Sequence, residues 1–243
     1  MRAPSRVSED GKRARMAEAD YVLISDNLIT EELLSVAGRL RLIQHQGVGY
    51  DNVDVAAASA RGIVVMNAPG ANSISVAELA LGQILALARH IPAADAAMKQ
   101  GKWERNKFTG TELYEKTIGI VGLGRIGALV AQRLAGFEVK LIGYDPYVTQ
   151  ARADQIGVEL VSLEELMKQS DFITIHLPKT KETVNLIGEE ALKKVKPTVR
   201  IINAARGGVL DETALYNAIK EGRVAGAGLD VFATEPCVDS PRG

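Results

Sequence analysis

A glycine-rich turn, Gly122-Leu123-Gly124-Arg125-Ile126-Gly127, follows directly on the apolar run Thr117-Ile118-Gly119-Ile120-Val121 and opens an amphipathic stretch. That order constrains the chain more than any other feature, because this spacing serves the turn between a parallel strand and the helix it feeds. The first glycine permits the tight turn, the second lets another group approach the backbone, and the third lets helix and strand pack closely. The positive end of the helix then faces whatever lies over the turn, and a pyrophosphate suits it. An acidic partner is expected roughly 20 residues further on. Asp145 stands there, ending the apolar run over 139–144. A carboxylate in that place accepts from ribose hydroxyls and repels a 2′-phosphate. No arginine follows in Pro146-Tyr147-Val148, so the pattern favours NAD over NADP.

From Asp20 onward, short aliphatic runs alternate with helical patterns, the mark of βαβ units and a parallel sheet. Strands are expected at 21–25, 40–45 and 63–66, with helical stretches at 30–37 and 53–60, which make a small α/β lobe. A long helix is expected from 73 to about 100, broken or kinked by Pro92. A second series brings strands at 117–121, 139–144, 172–176, 199–204 and 225–231. Helices are expected from Arg125, around 149–156, from Leu163 and at 212–221, and a further element falls at 187–194. The expected fold class is therefore α/β, a doubly wound parallel sheet over 72–243 (including the 73–100 crossing helix) beside a smaller lobe over 1–71.

Composition closes off other classes. With 47% hydrophobic and 24% charged residues, disorder, collagen-like repeats and coiled coil are poor readings. Lys and Arg number 29 against 30 Asp and Glu, which leaves no electrostatic footprint for a nucleic-acid partner. The single cysteine, Cys237, excludes an internal disulfide framework and a multi-cysteine metal site, and it fits a reducing cytoplasm. No apolar run approaches the roughly 18 residues needed to span a bilayer, so no membrane partner is expected. Near the start, Arg2, Arg6, Lys12, Arg13 and Arg15 alternate with Glu9, Asp10, Glu18 and Asp20. This mixture reads as a solvated start rather than a targeting segment.

Two further strand ends carry chemistry. The buried-type run at 199–204 leads into Ala205-Arg206-Gly207-Gly208, and an arginine there lies where open α/β sheets bind ligands. Its planar fork suits a carboxylate. The run Gly228-Leu229-Asp230-Val231-Phe232 precedes Glu235-Pro236, and a carboxylate in that place could hold a histidine and raise its pKa.

Taken together, these motifs resemble the D-isomer-specific 2-hydroxyacid dehydrogenases, and most of all their D-3-phosphoglycerate dehydrogenase branch, which serves serine biosynthesis. The resemblance runs from Asp20 to Pro236. It rests on Gly47-Val48-Gly49-Tyr50-Asp51-Asn52, Asn67-Ala68-Pro69, Asn72 with Val76-Ala77-Glu78, Gly101-Lys102-Trp103-Glu104-Arg105, the 122–127 turn, His176-Leu177-Pro178, the 203–208 run and the 228–236 run. It implies a Rossmann NAD-binding domain and a flavodoxin-like substrate lobe, the latter expected to be truncated. Gly122, Gly124, Arg125, Ile126, Gly127, Asp145, Pro178, Ala204 and Asp230 would hold NAD, and Val48, Gly49, Asn72 and Arg206 would hold a small 2-hydroxy or 2-oxo acid. Arg206 and Glu235 would be catalytic. A homodimer joined through the 73–100 helix and the Trp103 segment is also implied.

The family's catalytic histidine follows the Glu-Pro motif in a Pro-His-x-Gly stretch, and the sequence reaches Gly243 without one. Its own histidines read as a strand-end residue (His45), a cofactor-side strand-end residue (His176) and a helix residue (His90), none a convincing acid. The sequence as given is therefore expected to bind cofactor and turn over poorly. Phosphoglycerate enzymes usually carry an arginine after the first small-lobe strand, where Leu23-Ile24-Ser25-Asp26-Asn27 stands here. Glyoxylate or hydroxypyruvate reduction and a non-catalytic, NAD-sensing corepressor-like role are the alternatives. Lys102, Arg105 and Lys107 could supply the missing charge from a partner subunit.

Overall fold

The computed structural model describes residues 8–235 and residue 237, and the chain divides between Asn72 and Ser73 into two compact units. Pro236 of the Glu-Pro motif and the cations Arg2 and Arg6 lie outside the described residues.

The first unit runs α1 (Glu9–Glu18), β1 (Tyr21–Ile24), α2 (Glu31–Leu34), β2 (Leu42–His45), α3 (Val55–Ala60) and β3 (Val64–Met66). Its strands pair in parallel in the order β1-β2-β3, with Tyr21 opposite Leu42 and Leu42 opposite Val64. The two-residue period of a strand sends Ile24 and Ile43 into the core beside Leu33, Leu34 and Ala58, while Tyr21, Leu23, Val64 and Met66 remain exposed on the other face. Side-chain caps start the helices: Thr30 Oγ1 accepts from Leu33 N–H and Asp54 Oδ1 from Ala57 N–H.

Several boundaries depart from expectation. The start is not merely solvated, since α1 is capped by Ser8 and buries Met16 in the first unit's core. One buried methionine among ten mostly charged residues gives too weak a period to read. The helix expected at 30–37 covers only α2, and Val53 pairs with Ile29 in a lone bridge before α3 begins.

The second unit runs α4 (Ser73–Arg89), α5 (Ile91–Lys99), β4 (Thr117–Val121), α6 (Arg125–Leu134), β5 (Lys140–Tyr144), α7 (Gln150–Asp154), β6 (Glu159–Leu160), α8 (Leu163–Gln169), β7 (Phe172–Ile175), α9 (Glu189–Leu192), β8 (Arg200–Asn203), α10 (Glu212–Lys220) and β9 (Gly226–Leu229). All six strands are parallel, in the order β6-β5-β4-β7-β8-β9. Counted from β4, this is the doubly wound order that reverses between β4 and β7. Helices cover both faces. Ile118, Ile120, Phe172 and Ile202 pack with α4 and α6, whereas Val121, Ile173, Ile175 and Ile201 pack with α8 and α10. Strands buried on both sides have no alternation to show, which is why they read as unbroken apolar runs.

The long helix breaks at His90, two residues before the proline. A continuous helix would drive the Pro92 ring into the Ala88 carbonyl. Instead His90 takes a left-handed φ of 53°, α5 leaves α4 at 64°, and the freed Ala88 carbonyl accepts from Thr111 N–H at 2.8 Å. The element expected at 187–194 is a lone bridge from Ile187 to Leu210 followed by α9. The two-residue β6 was not foreseen. No single helix among the described residues is long and apolar enough to cross a membrane.

Candidate functional site

Every side chain assigned to the cofactor lies at the carboxyl end of the six-stranded sheet: 122–127 after β4, Asp145 after β5, Pro178 after β7, Ala204 after β8 and Asp230 after β9. Ligands of open α/β sheets bind at that edge, where the strand order reverses.

The turn after β4 has the geometry its glycines require. Gly122 has a φ of +96°, and a Cβ there would crowd the His176 carbonyl at 2.9 Å. A methyl on Gly127 would overlap the Gly122 carbonyl oxygen, so α6 reaches the strand only because this residue is glycine. Gly124 differs from both. It is exposed, and a Cβ there would meet nothing within 4 Å. It is also the N-cap of α6 and supplies no side-chain acceptor, whereas Thr149, Ser162 and Asp211 cap α7, α8 and α10. The first turn of α6 thus carries no side-chain cap, and exposed Gly124 and Arg125 stand at it. An anionic diphosphate fits such a cradle.

Asp145 is tied into the same structure. Its Oδ2 accepts from Leu123 N–H and its Oδ1 from Tyr147 N–H, both at 2.9 Å. Each oxygen keeps a second lone pair for a ribose hydroxyl. The carboxylate therefore fixes the glycine turn and faces the adjacent strand end at once.

His176 follows β7. Its Nε2 lies 2.9 Å from Thr174 Oγ1, and its Nδ1 is buried with no partner among the described residues. Burial holds its pKa down at about 4, so the ring is neutral at physiological pH. The folded protein binds this proton less readily than the unfolded chain does. Stability is therefore intact above about pH 6.5 and falls as the pH drops toward 4, by roughly 3 kcal/mol for this group. Urea unfolding at pH 7.5 and 4.5 should show that loss, and His176→Asn should remove most of the difference. An unchanged difference in the variant would refute the assignment.

At the end of β8 the buried Asn203 organises the turn. Its Oδ1 accepts from Ala205 N–H at 3.1 Å and its Nδ2 donates to the Arg206 carbonyl at 3.0 Å, while its own carbonyl accepts from Asp230 N–H at 3.0 Å. No role for Asn203 followed from the sequence. The available signal was an amide side chain interrupting an apolar strand. Arg206 Nη1 donates to the Ala205 carbonyl at 2.7 Å, and Glu235 Oε1 accepts from Phe232 N–H at 2.8 Å. A methyl on Gly207 would overlap the Phe232 carbonyl. The loop bearing Glu235 therefore lies directly on the turn bearing Arg206, and the two assigned catalytic residues share one sheet edge with the glycine turn.

Val48, Gly49 and Asn72 belong to the first unit. The loop after β2 is held to the segment after β3, because Asn67 Nδ2 donates to the Val48 carbonyl at 2.7 Å and Ala68 N–H to the Gly47 carbonyl at 3.0 Å. The buried His45 accepts from Gly47 N–H through Nδ1 at 2.8 Å, so this ring supports the loop. His90 occupies the helix break.

Residues 81–242 match the family described as D-isomer specific 2-hydroxyacid dehydrogenase, NAD binding domain. The chain is 56% identical over 229 residues to the D-3-phosphoglycerate dehydrogenase of Mycobacterium tuberculosis, covering 94% of this chain and 43% of that protein. It is 51% identical over 224 residues to the enzyme of that name from Synechocystis, covering 92% and 40%. It thus spans less than half the length of these curated relatives. Among solved structures, D-lactate dehydrogenase from Aquifex aeolicus complexed with NAD and lactic acid superposes with a TM-score of 0.87 at 36% identity, over 95% of this chain and 68% of that one.

Proposed function

The chain belongs to the D-isomer-specific 2-hydroxyacid dehydrogenases and carries their NAD-binding domain, and from that premise we propose that it serves an NAD-dependent interconversion of a D-2-hydroxy acid and its 2-oxo acid. The observation that carries this reading is the placing of an uncapped helix N-terminus and an arginine–glutamate pair of loops on one sheet edge.

NAD, when bound, supplies or accepts the hydride. The first turn of α6 binds its diphosphate and Asp145 its adenosine ribose. Arg206 would grip the carboxylate and polarise the carbonyl of the acid, and Glu235 is placed to orient a proton donor, a role that none of His45, His90 and His176 fills. Val48, Gly49 and Asn72 shape the substrate's surroundings. Identities of 47–56% to proteins named D-3-phosphoglycerate dehydrogenase support a phosphorylated three-carbon substrate. A homodimer joined through α4, α5 and the exposed Trp103 segment, in the cytoplasm and free of nucleic acid and membrane, completes the proposal.

NADH oxidation should be followed with phosphohydroxypyruvate, hydroxypyruvate, glyoxylate and pyruvate offered in parallel. The reading predicts the highest kcat/KM for the phosphorylated acid. Equal rates with hydroxypyruvate or glyoxylate would overturn the substrate assignment; tight NADH binding without any turnover would leave an enzyme lacking its proton donor or an NAD sensor, and restoring a Pro-His-x-Gly segment after the Glu-Pro motif decides between them. Asp145→Asn removes the charge that repels a 2′-phosphate, and it should narrow the preference for NADH over NADPH roughly tenfold in titrations of both. An unchanged preference would remove Asp145 from the site. Light scattering at micromolar concentration should give the mass of two chains, and a monomeric mass would remove the dimer.

A further inference from the structure

The loop between β9 and Glu235 is held from two sides, and only one of the two holds comes from the catalytic carboxylate itself. Glu235 Oε1 takes the Phe232 N–H at 2.8 Å. The next amide, Ala233 N–H, donates to Glu212 Oε1. Glu212 is the first residue of α10, a nine-residue helix whose start is fixed by Asp211 Oδ1, which accepts from Thr213 N–H at 2.9 Å and Ala214 N–H at 3.0 Å. On the loop's other flank the Gly207 backbone touches Phe232 so closely that no side chain fits between them.

We infer that Glu212 is a positioning residue, which clamps the 231–235 loop against the Arg206–Gly207 turn so that Glu235 and Arg206 address the same ligand. This rests on the dehydrogenase reading above. Ala233, Thr234 and Glu235 are exposed, and an exposed loop wanders unless its amides are engaged. Glu212 supplies an acceptor from a rigid helix that packs under the sheet through buried Ala214, Leu215 and Ala218. Its contribution acts on the loop's backbone, not on substrate or cofactor.

Variants of Glu212 and Glu235, read by turnover, NADH affinity and amide exchange, test it. Glu212→Ala should lower kcat by about tenfold or more, as misplacement of a reacting group does, with the NADH Kd unchanged within about twofold. Glu212→Gln keeps a carbonyl oxygen in the same place and should restore most of the rate. In the Glu235→Gln background, Glu212→Ala should cause little further loss, because both changes act through one group. Amide hydrogen exchange of the 231–235 segment gives the readout independent of turnover, and it should quicken in Glu212→Ala but not in Glu212→Gln. Unchanged exchange in Glu212→Ala, or a full additive loss in the double variant, would overturn the inference. Quickened exchange in a protein that turns over none of the four 2-oxo acids would uphold the clamp and defeat the dehydrogenase reading instead.

Discussion

Gly127→Ala should lose NADH binding by at least about 100-fold and also unfold several degrees earlier. The added methyl overlaps the Gly122 carbonyl oxygen, backbone against backbone, so neither atom can swing away. Relief requires α6 to lift from β4, which moves the first-turn N–H groups and disturbs the packing of buried Val130, Ala131 and Leu134. Overpacking of this kind costs about 1–3 kcal/mol or more. Gly124→Ala is the informative control, because its methyl would meet nothing within 4 Å and should leave thermal unfolding nearly unchanged. It would nonetheless stand where a diphosphate approaches, so NADH affinity should still fall. Calorimetric melting and NADH titration of both variants separate the two effects. A Gly124→Ala protein that binds NADH as tightly as the parent would place the diphosphate elsewhere.

Arg206→Ala should reduce kcat/KM toward the 2-oxo acid by about 10²–10³-fold, the range found for removal of a preorganised charge-stabilising donor. NADH affinity should fall far less, because the diphosphate and ribose contacts come from the glycine turn and Asp145, after β4 and β5. Arg206→Lys should recover little, since a single ammonium cannot reproduce a planar fork on a carboxylate. Stability should fall only modestly, although the guanidinium's bond to the Ala205 carbonyl is lost. The turn's main fastening is the buried Asn203 amide, whose bonds run to the backbone of residues 205 and 206 and not to the guanidinium. Steady-state kinetics with a parallel NADH titration checks all of this. A rise in KM with kcat intact would assign Arg206 to binding alone.

What could be read from the amino-acid order follows from where each signal is stored. The glycine turn and the apolar strands of the second sheet are local features. Burial on both faces writes β4, β7 and β8 as continuous runs, and the close approach of Gly127 to Gly122 dictates a residue type directly. Asp145 was legible for the same reason, as a carboxylate ending a strand at the right remove. Other features depend on partners far along the chain. The pairing of Ile187 with Leu210 and the seating of Phe232 on Gly207 leave no mark in their neighbours. The clamp from Glu212 to Ala233 spans 21 positions and looks in sequence like any acidic residue in a first helical turn. The break at His90 was half legible. Pro92 announced it, but which residue would absorb the left-handed turn depended on Thr111 being available to satisfy Ala88.

An NAD-dependent activity of this chain requires the uncapped start of α6 to receive the dinucleotide. Amide hydrogen exchange of the protein with and without saturating NADH tests that in one experiment. The expected result is slowed exchange over 123–128 and 145–147, with little change at the amino ends of β4 and β7 on the opposite edge of the sheet. Saturable NADH binding that leaves the 123–128 amides exchanging at their free rate would contradict the account.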